Sequence, residues 1–158
     1  AADPPIRIVM RQTADYVLRF SEPLCLHVGD LVTGLAMMDI VQANTEHLPD
    51  TEAGGPAWAP EGFVTDALRR PVRVTTLAQR LGMPAETVRR HVGHLLERDW
   101  CERIEDGLVV PARILARDRF VRYMLDNQSH LQRLFVGLAE FGVLTEWERE
   151  VQAIRGAA

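Results

Sequence analysis

The sequence predicts a mainly α-helical protein with a small β wing, in which a compact central module lies between two helical arms. Residues 75–98 contain two short amphipathic helical patterns separated by a glycine turn. Residues 101–110 contain two short strand-forming runs around an Asp-Gly turn, which is typical of a β-hairpin. The segments before and after these residues carry apolar side chains at helical spacing. These three observations predict the fold class.

The two central helices are predicted from their ends and their apolar faces. Thr75 is expected to cap the first helix, and Gly82 to end it in a left-handed turn. Pro84 suits the start of the second helix, which is predicted over residues 84–98. The apolar faces are formed by Leu77, Ala78, Leu81, Val88, Val92, Leu95 and Leu96. This spacing is typical of a helix-turn-helix, whose second helix enters the major groove of DNA.

The elements on either side of these helices extend the pattern. Before the two central helices, the sequence predicts a helix over residues 60–70 and a short strand over residues 72–74. Residues 101–104 and 108–110 predict the two strands of the hairpin. The order helix, strand, helix, turn, helix, hairpin is that of a central winged helix-turn-helix flanked by N- and C-terminal helical arms.

Residues 60–111 resemble bacterial winged-helix transcriptional regulators. Residues 77–83 are similar to the first helix and turn of their motif, and residues 87–92 to the core of their recognition helix. In length and order of elements the chain is similar to the MarR-like family of dimeric regulators, although that family has a longer wing. The resemblance implies binding to double-stranded DNA as a homodimer. It also implies an effector-binding cleft, whose small-molecule ligand is unknown.

The chain divides into four predicted segments. They are an N-terminal helical arm (1–47), a flexible linker (48–59), the winged helix-turn-helix (60–111) and C-terminal helices for dimerisation (112–158). The linker is predicted from its proline and glycine content, and Trp58 within it is expected to pack somewhere.

Both arms contain apolar seams. In the N-terminal arm, one helix is predicted over residues 13–20 and a second from Ser21, with Pro23 near its start. Its seam is Leu24, Val28, Leu31, Leu35 and Met38, which suits an intrachain core or a subunit interface equally well. In the C-terminal arm, a helix is predicted over residues 112–141, with Asn127 as the one polar member of its seam. Gly142 is expected to end it, and a capping box at residues 145–148 to start the last helix.

The charge distribution favours a nucleic-acid partner for the central module. The net charge is −4, but residues 69–122 hold 12 Arg against 7 acidic residues, a local charge of +5. A local basic surface matters more for nucleic-acid binding than the total charge. All 18 basic residues are arginine, whose paired donors suit phosphate and guanine.

A helical wheel of residues 84–98 separates the apolar stripe from an outward face. The side chains expected to contact DNA bases are Glu86, Thr87, Arg89, Arg90 and His94, and Arg90 is the best candidate for guanine. The side chains expected to contact phosphates are Arg73, Thr75, Thr76 and Arg103.

Other functional classes are less well supported by the sequence. No phosphate-cradling glycine loop, nucleophile elbow or HExxH pattern is present, so an enzyme is not expected. Cys25 and Cys101 lack metal-ligand spacing, and both are expected to be free thiols in a reducing cytoplasm. His91 and His94 project to different sides of the wheel, so neither a metal site nor any other cofactor is predicted. No apolar run is long enough to span a membrane.

The sequence therefore predicts a sequence-specific DNA-binding transcriptional regulator. The alternative is a winged-helix module for protein–protein assembly that does not bind DNA. Glu86 and Glu97 beside Arg90 favour that alternative, because acidic side chains on the recognition face oppose binding to phosphate.

Overall fold

The computed structural model describes residues 5–49 and 60–156, and these are mainly helical with a small two-stranded antiparallel sheet. The helices are α1 (Ile6–Val28), α2 (Leu31–Thr45), α3 (Val74–Leu81), α4 (Ala85–Glu97), α5 (Ala112–Leu115), α6 (Asp118–Glu140) and α7 (Val143–Gly156). The strands are β1 (Glu102–Ile104) and β2 (Gly107–Val109). Most of the predicted linker, including Trp58, lies outside the described residues.

The chain forms two compact units with boundaries that differ from those of the predicted segments. One unit comprises residues 24–123, and the other combines the chain up to residue 23 with the chain from residue 124. The first unit contains α2 together with the predicted central module. Part of the predicted N-terminal arm is therefore integral to the central unit.

Helix α1 is continuous where the sequence predicts two helices. It runs from Ile6 through Pro23 to Val28, so the expected starts at Thr13 and Ser21 are wrong. The chain turns at Gly29, which has φ 110°, a conformation that side chains with a Cβ rarely adopt. Asp30 then caps α2 by accepting a hydrogen bond from the Thr33 backbone at 2.9 Å.

This turn also interrupts the predicted N-terminal seam. Leu24 and Val28 are buried, but Leu31 and Met38 beyond the turn are 40% and 39% exposed. The buried residues of α2 are Thr33, Gly34, Ala36, Met37, Ile40 and Asn44. Because Gly29 breaks the helix, the spacing that continues from α1 into α2 in the sequence does not continue in space.

Helix α2 packs against both α3 and α4. The helix predicted over residues 60–70 is wrong, since that segment forms two short 3-10 turns at Pro60–Gly62 and Asp66–Leu68. A residue that precedes a proline is biased away from helical geometry, and Arg70 precedes Pro71, so a helix that continues to Arg70 is disfavoured. Helix α2 thus supplies the packing partner that the sequence analysis assigned to residues 60–70.

Helices α3 and α4 meet at the predicted glycine turn. Gly82 has φ 63°, and the Met83 backbone donates to the Ala78 carbonyl at 3.0 Å, which closes the helix end. Helix α3 begins two residues earlier than predicted, with Arg73 rather than Thr75 at its N-cap. Helix α4 begins after Pro84 and buries Val88, Val92 and Leu95, as its predicted stripe requires.

The hairpin after α4 is confirmed, with Arg103 opposite Leu108 in an antiparallel register. Glu105 in its turn has φ 52°. In place of a third strand, Val72 forms one antiparallel bridge to Leu108. The Val72 nitrogen lies 3.1 Å from the Leu108 oxygen, and the Leu108 nitrogen lies 2.8 Å from the Val72 oxygen. The hairpin is thereby held against the residues that lead into α3.

The predicted helix over residues 112–141 is divided into α5 and α6. At the break, the Arg117 guanidinium donates to the Asp99 carbonyl at 2.9 Å and pairs with the Asp99 carboxylate at 2.6 Å. Helix α6 ends before Gly142, which has φ 73°, as the sequence predicts. Helix α7 begins at Val143, so the predicted capping box at residues 145–148 does not start it.

In the unit formed by both chain ends, α1 contacts α6 through polar side chains. The Tyr16 hydroxyl donates to the Asn127 carbonyl oxygen at 2.9 Å, and Arg133 pairs with Asp15 at 3.3 Å. The polar member of the predicted α6 seam therefore has a partner within the chain.

Within the described residues, no single helix combines the length and apolar composition needed to cross a membrane. Helices α1 and α2 reach that length and composition only when they are taken together, and their axes diverge by 89°.

Candidate nucleic-acid interface

The outward face of α4 carries the side chains predicted to contact bases. Glu86, Arg89 and Arg90 are exposed, and Thr87 and His94 are partly exposed. The opposite face is fixed, because Val88 and Leu95 are fully buried against the rest of the central unit. The position of the polar face is therefore determined by the packing of the apolar stripe.

The charges on this face are not equally available to a ligand. Arg89 forms an ion pair with Glu86 one turn earlier on the same helix. Arg90 has no ion-pair partner within residues 5–49 and 60–156, and its guanidinium is exposed. Arg90 is consequently the base-contact candidate whose donors are free, whereas contact by Arg89 requires its pair with Glu86 to open.

The predicted phosphate-contact residues are all at the surface. Arg73, Thr75, Thr76 and Arg103 are exposed. Arg73 lies 3.5 Å from Asp106 of the hairpin turn, but 70% of its side chain remains accessible, so solvent weakens that pair. Thr75 is in the first turn of α3, where free backbone N–H groups favour anions.

A surface cleft brings two of these residues together with an arginine that the sequence analysis missed. The cleft has a volume of about 370 Å³, and Arg70, Arg73 and Thr76 line it together with Ala43, Glu46, His47, Pro71 and Val72. Two guanidinium groups and one hydroxyl in one cleft suit a phosphate group. Arg70 was missed because the predicted helix over residues 60–70 gave no reason to place it beside Arg73.

Six of the 12 arginines in residues 69–122 make contacts within the protein instead. Asp39 and Glu46 pair with Arg80, and the hydrogen bonds that its guanidinium donates to these two carboxylates raise its pKa. Arg113 and Arg117 pair with Asp99, which lowers the pKa of the Asp99 carboxyl. The remaining members of this set are Arg69, bound to Asp66, and Arg98 and Arg119, which both lie over the Trp100 ring. The local charge of +5 thus overstates the number of cations available to a ligand.

The two cysteines are free thiols in different environments. Cys25 is exposed and Cys101 is buried. Burial raises the pKa of the Cys101 thiol to about 12, so this thiol is protonated at neutral pH. A protonated, buried thiol is a poor nucleophile and a poor metal ligand.

One cluster of polar side chains joins α4 to the start of α2. Ligand atoms of Asp30, His91 and His94 all lie within 4.8 Å of one another. The Thr33 hydroxyl lies 2.6 Å from Asp30 Oδ2 and 2.8 Å from His91 Nδ1. Burial alone would raise the pKa of the Asp30 carboxyl, but hydrogen bonds from the Thr33 side chain and backbone outweigh this and lower it. The structure thus brings together two histidines that the helical wheel separated, and it adds a carboxylate.

Comparison with known proteins found no matching family model, no matching curated protein and no matching solved structure.

Proposed function

We propose that this protein is a sequence-specific DNA-binding transcriptional regulator that uses a winged helix-turn-helix. Residues 84–98 form the recognition helix, α3 supports it, and the hairpin β1–β2 is the wing. The observation that carries the proposal is the disposition of α4. Its apolar stripe is buried, whereas Arg90, in the N-terminal half of the helix, is exposed and has no ion-pair partner in the described part of the chain.

The surroundings of α4 support the same proposal. Arg70, Arg73 and Thr76 line one cleft at the entrance to α3, and Arg103 is exposed on β1. Phosphate contacts on the two sides of a recognition helix fix its orientation in the groove, and base contacts then supply specificity. The arrangement therefore supports a proposal in which the protein makes both phosphate and base contacts.

Homodimerisation through the helical arms is the second part of the proposal. The unit formed by the chain ends exposes many large apolar side chains, among them Leu18, Leu125, Phe135, Phe141 and Ile154. Apolar surface of this kind usually marks a protein–protein contact. A second copy of the chain suits it, because two-fold dimers match the repeated half-sites of DNA operators.

The alternative of an assembly module without DNA binding is favoured by one observation. Glu86 neutralises Arg89 on the recognition face, and acidic side chains elsewhere in the central unit pair with four arginines: Arg69, Arg80, Arg113 and Arg117. The alternative predicts that the protein is not retained on duplex DNA at low salt. Retention that falls steeply with salt is expected from DNA binding, because neutralised phosphates release counterions.

Two arginine substitutions test the orientation of α4 once a binding sequence has been selected from random duplex oligonucleotides. Arg90→Ala is expected to relax the preference at one base pair, with a loss of discrimination of about 1–3 kcal/mol. Arg103→Ala is expected to weaken binding to all sequences by a similar factor. It should also reduce the slope of log affinity against log salt concentration by about 1, the contribution of one phosphate contact. Competition binding with single-base variants at several salt concentrations distinguishes the two effects.

Arg122→Ala is the matched control, because Arg122 is another exposed arginine of the central unit but lies on α6. It should leave both affinity and base preference unchanged. An unaltered base preference in Arg90→Ala would show that the outward face of α4 does not read DNA bases.

A paired substitution on α6 tests the dimer. Leu131 and Phe135 are exposed and one helical turn apart, so the double variant Leu131→Glu/Phe135→Glu places two charges on the apolar surface. It is expected to shift the protein from dimer to monomer in sedimentation equilibrium at micromolar concentration. Gln42→Glu/Gln79→Glu adds the same two charges at exposed positions of the central unit and should remain dimeric. A wild-type protein that sediments as a monomer contradicts this part of the proposal.

A further inference from the structure

Two histidines and one carboxylate converge at the junction of α2 and α4. Asp30 is the N-cap of α2, and His91 and His94 lie one turn apart on α4. Their candidate ligand atoms all lie within 4.8 Å of one another, and Asp30 Oδ1 is 3.5 Å from His91 Nδ1. The rings of His91 and His94 meet edge to face, with centroids 5.8 Å apart. Three donors from two separate helices therefore surround one point.

Thr33 orients two of these three donors. Its hydroxyl lies within hydrogen-bonding distance of both Asp30 Oδ2, at 2.6 Å, and His91 Nδ1, at 2.8 Å. Its backbone N–H donates to Asp30 Oδ1 at 2.9 Å. Because the hydroxyl donates to Asp30, the His91 Nδ1–H donates to the hydroxyl, and an ion that binds Nδ1 replaces that proton. The Thr33 backbone N–H keeps the Asp30 carboxylate in place, as outer polar groups do in metal sites. His94 is partly exposed, so its ring has room to adjust.

The donor set selects a class of ion. Imidazole nitrogen suits Zn²⁺, Co²⁺ and Ni²⁺, whereas Ca²⁺ and Mg²⁺ prefer sites made of oxygen atoms. Zinc sites with three protein ligands, two of them histidines and one a carboxylate, leave a fourth position for water. Ligand distances of about 2.0–2.2 Å place tetrahedral donor atoms roughly 3.4 Å apart. Closure around an ion thus needs donor atoms to approach one another by up to about 1.4 Å, which a side-chain rotation of His94 can supply.

We propose that Asp30, His91 and His94 bind one divalent transition-metal ion per chain, with solvent in the remaining position. The ion joins the N-terminus of α2 to the middle of α4. The sequence analysis did not predict this site because a helical wheel of α4 contains no information about Asp30. The proposal rests on the geometry of this cluster alone, and it assigns His94 to the ion in place of the base contact predicted from the sequence.

Metal titration of the full-length, chelator-treated protein tests the site. Calorimetry with Zn²⁺ is expected to give one ion per chain. Titration with Co²⁺ is expected to give visible absorption bands of a site with nitrogen and oxygen ligands, without the near-ultraviolet charge-transfer band of a thiolate. A thiolate band would assign the ion to Cys25 or Cys101 and overturn the proposal, as would a stoichiometry of zero.

Three variants assign the ligands. Asp30→Asn, His91→Gln and His94→Gln are each expected to weaken Zn²⁺ binding at least 10-fold. Asn caps a helix about as well as Asp, so Asp30→Asn removes the ionised ligand while it preserves the start of α2. His130→Gln, which removes an imidazole from the other compact unit, should bind as tightly as the wild type. Unchanged binding in His94→Gln, which alters a partly exposed side chain, would overturn the proposal.

Discussion

Replacing Asn44 with alanine is expected to lower the free energy of unfolding by about 3 kcal/mol, because three hydrogen bonds, two of them buried, depend on this side chain. The Asn44 amide donates to the Arg70 carbonyl at 2.7 Å and to the Leu108 carbonyl at 3.0 Å. Its carbonyl oxygen accepts from the Val110 backbone at 3.0 Å. The side chain is fully buried, so water cannot replace these partners in the variant. Urea denaturation followed by far-ultraviolet circular dichroism measures the loss.

Two further variants identify the cause of this loss. Asn44→Asp keeps the shape but replaces the amide donor with a charged oxygen that faces two carbonyl groups, so it should be at least as destabilising at neutral pH. Gln42→Ala truncates an exposed amide on the same helix and should change the free energy of unfolding by less than about 0.5 kcal/mol. A loss below about 1 kcal/mol in Asn44→Ala would contradict the role assigned to these hydrogen bonds.

Asn44 also illustrates why the sequence predicted local elements better than their partners. The glycine turn at Gly82, the stripe of α4 and the hairpin after it depend on residues close together in the chain. By contrast, Asn44 joins α2 to residues more than 20 positions later, and nothing near Asn44 in the sequence indicates those partners. The first helix of the central unit was therefore assigned to residues 60–70 and not to α2.

The errors in the N-terminal region have a different physical origin. Ser21 and Pro23 are typical of a helix start, yet Ser21 instead donates to the Val17 carbonyl at 2.8 Å inside the continuous α1. The signal that decides the break is the pair Gly29-Asp30, a left-handed turn followed by a capping carboxylate. That signal is present in the sequence, but the regular spacing of Leu24, Val28 and Leu31 obscured it.

The candidate DNA interface was predictable to the extent that it lies on one helix. The wheel of α4 selected Glu86, Arg89 and Arg90, all of which are exposed in the structure. It did not reveal the ion pair between Glu86 and Arg89, although their i, i+3 spacing is compatible with one. The cleft with Arg70 and the cluster around Asp30 depend on tertiary contacts, and no periodicity in the sequence indicates them.

Gly107→Ala is expected to destabilise the protein by about 2 kcal/mol, through contact with backbone atoms that cannot move aside. A Cβ at Gly107 would lie 2.6 Å from Pro71 Cβ and 3.0 Å from both the Pro71 carbonyl carbon and the Val72 nitrogen. Pro71 has a rigid ring, and Val72 is fixed by two hydrogen bonds to Leu108. The hairpin must therefore move away from the entrance to α3, which breaks the bridge between Val72 and Leu108.

Gly93→Ala is the control for the same added methyl group, since a Cβ at Gly93 meets no atom within 4 Å. It lies inside α4, where alanine stabilises a helix by about 0.5–1 kcal/mol relative to glycine. Urea denaturation of the two variants should thus give changes of opposite sign. A stability of Gly107→Ala equal to that of the wild type would mean that the hairpin is not held against Pro71 in solution. The proposed wing, with Arg103 on its first strand, would then lack the fixed position that phosphate contact requires.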